Sequence, residues 1–423
     1  MARSAAASLS TGHALRALKN YNYRLYFFGQ SVSQIGSWLQ RIAQAWQVLD
    51  LTGSPTALGI VTVLQFLPIM LLSLVAGVIV DRFPKRQMVW VIQFVATLQA
   101  AMLAFLTLSG QIQLWEIYVL AVVLGIVSAF DMPSRQAFVG EMVGREDLQS
   151  AISLNSSLFN GARIIGPGIG GVIIAIWGVG WCYALNAVSF FAVLISLMLL
   201  RSEQFFPLRR APRAALWTQL ADGVKYATGR YQLVFPLLLL AVVGTFGYNF
   251  GVSLPLLARY QLDVGSVGFG GLNAAMGVGS VIGALSLAPR LTPSERVLLF
   301  AAGSFSVLLL LVAVVPWFVV ALGVLAVLGF ASIAYSACTN TTLQLNSREE
   351  YRGRVLSLYT LLFAGTTPIG GAITGWLADR WGIGLALAAE GVVCLLAVGA
   401  GAFWLWSEAR SVRDLQPEVP SSR

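Results

Sequence analysis

Five polar side chains in the first apolar stretch, Gln30, Gln34, Ser37, Arg41 and Gln44, recur at spacings of 4, 3, 4 and 3 residues. That rhythm puts them on one face of a helix. A later stretch repeats it with Ser156, Asn160, Arg163, Pro167 and Gly170. A stripe of guanidinium, amide and hydroxyl groups is costly against hydrocarbon, so it is expected to face the protein interior or a water-filled space. The chemistry on offer is recognition: two cations and several amides suit an anionic or polyphenolic ligand. Tyr248, Asn249, Asn273, Tyr335 and Asn340 are further candidates for such a lining. Each of them, taken alone, is more commonly a helix-to-helix hydrogen bond.

Bond-making chemistry has little to draw on. The single histidine, His13, lies in the polar N-terminal stretch, and Cys182, Cys338 and Cys394 are far apart inside apolar runs. Neither a zinc site nor a disulfide framework is expected, and no cofactor is implied. The only lysines, Lys19, Lys85 and Lys225, follow Leu, Pro and Val, so no phosphate-binding Gly-Lys-Ser/Thr loop exists. Gly166-Pro-Gly-Ile-Gly-Gly171 matches a dinucleotide fingerprint letter by letter, but that fingerprint needs a strand before it, and here it sits inside an apolar helix. Its small residues instead allow close helix approach, and Pro167 removes one backbone hydrogen bond. Gly166, Pro167, Gly170 and Gly171, with Pro368, Gly370 and Gly371 of a similar run some way downstream, are therefore read as bending or packing positions.

Charged residues cluster at the ends of two apolar stretches. Gly77-Val-Ile-Val-Asp81-Arg82-Phe-Pro-Lys85-Arg86 follows the second, and Asp131-Met-Pro-Ser-Arg135-Gln-Ala-Phe closes the fourth. Opposite charges at neighbouring helix ends can pair in one conformation and part in another, a contact whose balance a ligand shifts. Gly77, Asp81, Arg82, Arg86, Asp131 and Arg135 form this candidate gate; the competing reading is a set of solvated topology determinants. Glu390 is the acid most clearly inside an apolar run, with Asp50 and Glu116 near the ends of others.

The elements that must position these groups are membrane helices. Of 423 residues, 57% are hydrophobic and 11% charged, against about 25% charged in soluble domains. That excludes an ordinary soluble enzyme. Apolar windows predict twelve helices at 24–49, 56–80, 88–108, 115–136, 152–177, 180–200, 233–258, 268–288, 297–315, 318–342, 355–378 and 383–406. Each is long enough for a hydrocarbon core of about 30 Å. Lys and Arg outnumber acids 27 to 18, yet no soluble domain carries a basic face for nucleic acid. Most basic residues fall on alternate loops, which predicts both termini on the cytoplasmic side. The exceptions are Arg259 and Arg380 on the far side and Arg41 and Arg163 within helices. The N-terminal stretch lacks the apolar region of a cleaved signal and reads as a cytoplasmic tail.

The organisation expected is a tail (1–23), a six-helix bundle (24–200), a basic linker (201–232), a second six-helix bundle (233–406) and a tail (407–423). Within the linker Leu216, Leu220, Val224 and Ala227 recur at helical spacing, predicting an amphipathic helix along the membrane face. The glycine-proline elements near 166 and 368 echo one another, and a duplicated unit is the simplest account.

The loop from Gly77 to Arg86 resembles the Gly-x-Leu-Ala-Asp-Arg-x-Gly-Arg-Arg motif of the major facilitator superfamily, with Pro84 in place of the second glycine. The Asp131 to Phe138 segment, Arg352-Gly-Arg-Val355 and Gly375-Trp-Leu-Ala-Asp379-Arg380 are similar to the bacterial branch that contains the enterobactin exporter. The resemblance spans nearly the whole chain. It implies an all-α protein of twelve transmembrane helices in two pseudo-symmetric bundles, working as a monomer in a bacterial inner membrane around a central cavity that opens alternately to each side. The activity it implies is secondary active transport, with proton-driven export of a small amphipathic or anionic compound as the expectation. Asp81, Asp131 and Glu390 are then the candidate proton carriers. The fourth helix departs from the drug and proton antiporters, carrying Ala121 where their Arg-x-x-x-Gly motif has arginine. Import of a metabolite stands as the alternative. A polytopic membrane enzyme is disfavoured by the lack of paired intramembrane carboxylates, and a permease part would need a separate ATPase.

Overall fold

A computed structural model describes residues 15–206, 216–287 and 294–414. Most of both tails, with Arg3, His13 and Arg423, lies outside the described residues, as do 207–215, with Arg209, Arg210 and Arg213, and 288–293, with Arg290. The described chain is helical almost throughout. The spans run Tyr21–Thr52, Pro55–Arg82, Lys85–Leu108, Leu114–Trp177, Val179–Leu199, Tyr231–Gly247 with Phe250–Leu256, Ser266–Leu287, Glu295–Val314, Phe318–Leu345, Glu349–Gly365 with Thr367–Trp381, and Ile383–Asp414.

Ten described helices are long and apolar enough to cross a membrane. Tyr21–Thr52 is not among them, because the glutamine and arginine stripe lowers its hydropathy. Leu114–Trp177 counts once although its 64 residues would extend about 96 Å at 1.5 Å per residue, three times the bilayer core. It turns back at Gly144, whose φ of 70° and ψ of −173° no β-carbon residue adopts cheaply. The two limbs are the fourth and fifth spans, giving twelve crossings.

That corner corrects one expectation. Residues 137–151 fall in the gap between two predicted helices, 115–136 and 152–177, yet they are helical on both sides of Gly144. Val139, Met142 and Val143 of this stretch are buried with Phe138 in a cluster that takes in Tyr23, Tyr26 and Leu200. Local stops elsewhere follow the sequence closely. Gly53 ends the first span at φ 61° and Ser54 caps the second by accepting from the Ala57 amide at 3.3 Å, with Pro55 in the first turn.

The first six spans pack mainly on one another, as do the last six, and two seams join the groups: the fifth span against the eighth and the second against the eleventh. Both seams depend on glycine. A β-carbon on Gly171 would lie 2.4 Å from the Ser266 carbonyl oxygen, and one on Gly375 2.7 Å from that of Pro55. The linker holds a helix at Leu216–Thr228, docked on the second group: Tyr226 stacks on Tyr351 with ring centroids 4.1 Å apart and accepts from the Arg348 amide at 2.9 Å.

The groups are closed together at the end opposite the linker. There Arg259 pairs with Asp50, Tyr260 donates to the Gly53 carbonyl at 2.7 Å, Thr56 donates to Asp379 at 3.0 Å, and Trp46 stacks on Phe269. Toward the linker end a β-carbon on Gly77, Gly161 or Gly353 would meet nothing within 4 Å, and Leu285 and Ile152 are exposed. The Asp50 to Arg259 pair is itself half exposed, and such pairs contribute about 0–1 kcal/mol. Asp50→Ala should therefore shift the balance between open and closed forms by no more than about fivefold, read as a change in spin-label distance across this end.

Candidate functional site

Between the two groups lies a cavity of about 390 Å³, within the size range of small-molecule sites. Its wall on the first group carries Trp38, Arg41, Gln44, Gln65, Phe66 and Arg163; on the second it carries Tyr248, Asn249, Phe250, Phe269, Asn273 and Phe363. The guanidinium groups therefore come from one half, while most of the aromatic surface comes from the other.

Each side chain is held by its own neighbourhood. Arg41 lies 4.8 Å from the centroid of the Trp38 ring, a cation–π contact. Trp38 comes so close to the fifth span that a β-carbon on Gly166 would sit 2.4 Å from its own. Tyr248 donates to the Ser332 carbonyl at 2.7 Å and stacks on Phe305 with centroids 5.0 Å apart. Asn249 and Asn273 donate to carbonyls one turn back, Thr245 at 2.7 Å and Phe269 at 3.0 Å. Tyr248 and Asn249 form the break between the two pieces of the seventh span, so the cavity wall includes unwound backbone. Neither Arg41 nor Arg163 makes an ion pair among the described residues. Two uncompensated cations facing one void make the site electropositive and suited to an anion.

A smaller chamber, about 80 Å³, sits inside the first group and shares Arg41 and Gln65 with the cavity. Gln34, Ser37, Gln93, Asp131, Arg135 and Asn186 line it. Asp131 and Arg135 pair with each other at 2.6 Å along one helix, and Gln93 donates to Asp131 at 3.3 Å.

The two arginine-bearing stripes thus divide. Arg41, Gln44 and Arg163 reach the cavity with Tyr248, Asn249 and Asn273, whereas Gln34 and Ser37 reach only the chamber. Gln30 is buried but lines neither. Asn160 turns its amide onto the Ser156 carbonyl at 2.8 Å, and Asn340 accepts from Gln344 in its own helix. Tyr335 is fully buried away from the void. Of the gate residues, Arg86 donates to the Leu197 carbonyl at 2.7 Å and to Ser202 at 2.6 Å, closing the end of the sixth span. Arg82 is exposed, Asp81 half-buried, and Gly77 faces open space. The pair of Arg135 with Asp131 runs along the fourth span itself. Gly166, Gly170 and Gly171 meet the first and eighth spans, Gly370 meets the seventh, and Gly371 meets Thr62; Pro368 lies in the first turn where the eleventh span restarts.

The aromatic lining carries no signal in the sequence, because phenylalanine and tryptophan occur alike in a helical core and on a lipid-facing surface. Gln40 and Gln47 are not among the sequence candidates, yet they bond to Gln99 at 2.9 Å and to Thr107 at 2.9 Å, and accept from Asn186 and Tyr183. Their spacing from Ser37 and Gln44 was a usable signal: the first span is polar on more than one face because it is buried on more than one.

Two bundles enclosing a central cavity and held together at one end by glycine seams define a membrane transporter of the major facilitator type. The chain belongs to the family described as transmembrane secretion effectors, whose model matches residues 13–418. It is similar to the staphyloferrin A transporter of Staphylococcus aureus, 29% identical over 85% of this chain and 90% of that protein. It also resembles the enterobactin exporter EntS of Shigella boydii, 27% identical over 95% of each chain, and the multidrug efflux pump Tap of Mycolicibacterium fortuitum, 26% identical over 85% of this chain and 90% of that one. Among solved structures it shares the fold of a bacterial homolog of the human lysosomal transporter Spinster, inward-facing and unoccupied, with TM-score 0.70, 13% identity and coverage of 90% and 95%. The nucleoside transporter NupG superposes with TM-score 0.66 at 14% identity, covering 90% of this chain and 98% of that one.

Proposed function

We propose that this chain is a secondary active transporter that exports a small anionic or amphipathic compound, siderophore-like or drug-like, by alternating access driven by the proton gradient. The observation that carries the reading is two arginines, without an ion pair among the described residues, facing an aromatic-walled cavity between the two halves. A ligand anion would neutralise Arg41 and Arg163 while its apolar body packs on the opposite half, so binding itself draws the halves together. Glycine seams at one end and open space at the other are the features expected of one end state of such a cycle. The relatives' names, which include siderophore and drug exporters, support the direction and the ligand class. On this reading the protein works as a monomer in a bacterial inner membrane, with the basic loops, the linker and both termini on the cytoplasmic side.

The test is a mass-spectrometric comparison of compounds inside and outside cells that lack or express the protein, with and without a protonophore. An anionic compound enriched outside only on expression, and lost with the protonophore, is the expected result. Accumulation inside on expression would turn the direction to import. Insensitivity to the protonophore would remove the proton drive.

A further inference from the structure

The chamber of about 80 Å³ inside the first half is built from five of its six spans. Part of its wall is closed on itself. Gln40 donates to Gln99 at 2.9 Å and accepts from Asn186 at 2.7 Å, and Asn186 accepts from Ser189 at 3.1 Å, all four side chains being buried. These bonds tie the first, third and sixth spans together and brace the chamber. Asp131 is the only acid of the lining, and its Oδ1 already accepts from Arg135 at 2.6 Å and from Gln93 at 3.3 Å. The buried acid Glu390 belongs to the second half, where it accepts from Thr374. Arg41, Gln34, Gln65 and Ser128 also line the chamber, and none of them donates a hydrogen bond to another described residue. The unspent groups are thus chiefly donors, and two arginines face one aspartate.

Charge and size select the occupant. A chamber of about 80 Å³ has room for about six water-sized guests. A metal ion would be repelled by both guanidinium groups and would need more oxygen ligands than one engaged carboxylate and a few amides provide. Water would satisfy the donors but would not offset the surplus positive charge, and a charge inside a membrane-spanning bundle is costly without a partner. Guanidinium, amide and hydroxyl N–H and O–H groups converging on one small space are the donors that take up an anion. Gln93 Oε1, buried and without a donor from the described residues, is served by a water that shares the chamber with the ion.

We propose that this chamber is a binding site for one small inorganic anion of chloride size, held by Arg41, Gln34, Gln65 and Ser128. The site acts on its neighbour. Arg41 and Gln65 also line the central cavity, so the ion enters past them and neutralises the Arg41 guanidinium from the side away from the transported ligand. A ligand anion then meets Arg163 as the uncompensated cation, and it gains full use of Arg41 only when the ion leaves. That consequence rests on the anionic-ligand reading above, whereas the site itself does not.

The probe is chloride itself. Thermal unfolding of the full chain in lipid nanodiscs is followed as sodium chloride replaces sodium gluconate at constant ionic strength, gluconate being too bulky for the chamber. Binding to the folded state should raise the unfolding midpoint by about 1–3 °C for each tenfold increase in chloride above its Kd. Arg163→Ala, which alters the cavity alone, should keep this response. Ser128→Val and Gln34→Leu, which alter the chamber alone, should each move its onset about tenfold or more higher in chloride; each variant is compared with itself in gluconate, so a general loss of stability does not enter. Equal midpoints in the two salts, a response lost in Arg163→Ala, or one untouched in both chamber variants overturns the site. Export of an uncharged compound, with the chloride response intact, overturns the anionic-ligand reading and leaves the chamber site standing.

Discussion

Replacing Arg163 with alanine should lower transport about ten- to 150-fold at matched protein level, with insertion unchanged. The range follows from losing one charge-assisted hydrogen bond to a ligand, about 1.5–3 kcal/mol. Arg163 serves no structural pair that the substitution would orphan, since it makes no ion pair among the described residues and faces the cavity. Arg41→Ala should cost less in ligand affinity, because Arg41 is shared between the cavity and the inner chamber and is stacked on Trp38. The measurement is export of whichever compound expression enriches outside the cell, normalised to membrane protein. Wild-type flux for Arg163→Ala would take this residue out of the site and leave the anionic-ligand argument resting on Arg41 alone.

The second large effect is expected at Gly171→Leu. Even the first carbon of a side chain there would fall 2.4 Å from the Ser266 carbonyl oxygen and 3.2 Å from the Gly270 α-carbon, and both are backbone, which does not yield as a flexible side chain does. The fifth and eighth spans must separate, weakening the closed end by about 1–3 kcal/mol, the usual cost of overpacking. That is about a five- to 150-fold loss of the closed population relative to the alternative state. A cysteine at Thr62, which lines the cavity, supplies the readout: an impermeant thiol reagent added from the closed side should label it at least about tenfold faster in Gly171→Leu than in the parent. Equal labelling rates would show that this seam does not seal the end. Gly161→Leu, which faces open space, is the matched control and should leave the rate unchanged.

Both effects trace to residues visible in the chain, yet unequally so. The alternating Gln, Ser and Arg spacing of the first span announced a polar face, and Arg41 and Gln44 do reach the cavity. The same spacing ranked Gln30, Gln34 and Ser37 with them, and these lie deeper along the helix, inside the first bundle. A stripe has a direction but no depth, so periodicity alone cannot say where along its length the neighbouring helices part to make a void. Asn160 shows the same limit: it shares a face with Arg163 but is one turn nearer the open end, where its amide satisfies itself on Ser156. Phe250 and Phe363 were invisible for a different reason. An aromatic ring facing lipid, a core or a ligand cavity has the same sequence signature, and only the partner across the gap distinguishes them.

What the sequence by itself determined was the membrane class, the twelve crossings and the family, because hydropathy over about twenty residues and a charged loop motif are local properties that packing does not overwrite. It also determined the caps and glycine stops, for instance Gly53 and Ser54, where one residue's backbone preference is sufficient. Only the tertiary structure decided that the closed end is sealed by Gly171 against Ser266 and that Arg86 serves the end of the sixth span. Those contacts join residues 95 and 111 positions apart, and the free energy of each depends on which helix faces arrive together, a quantity no single segment carries.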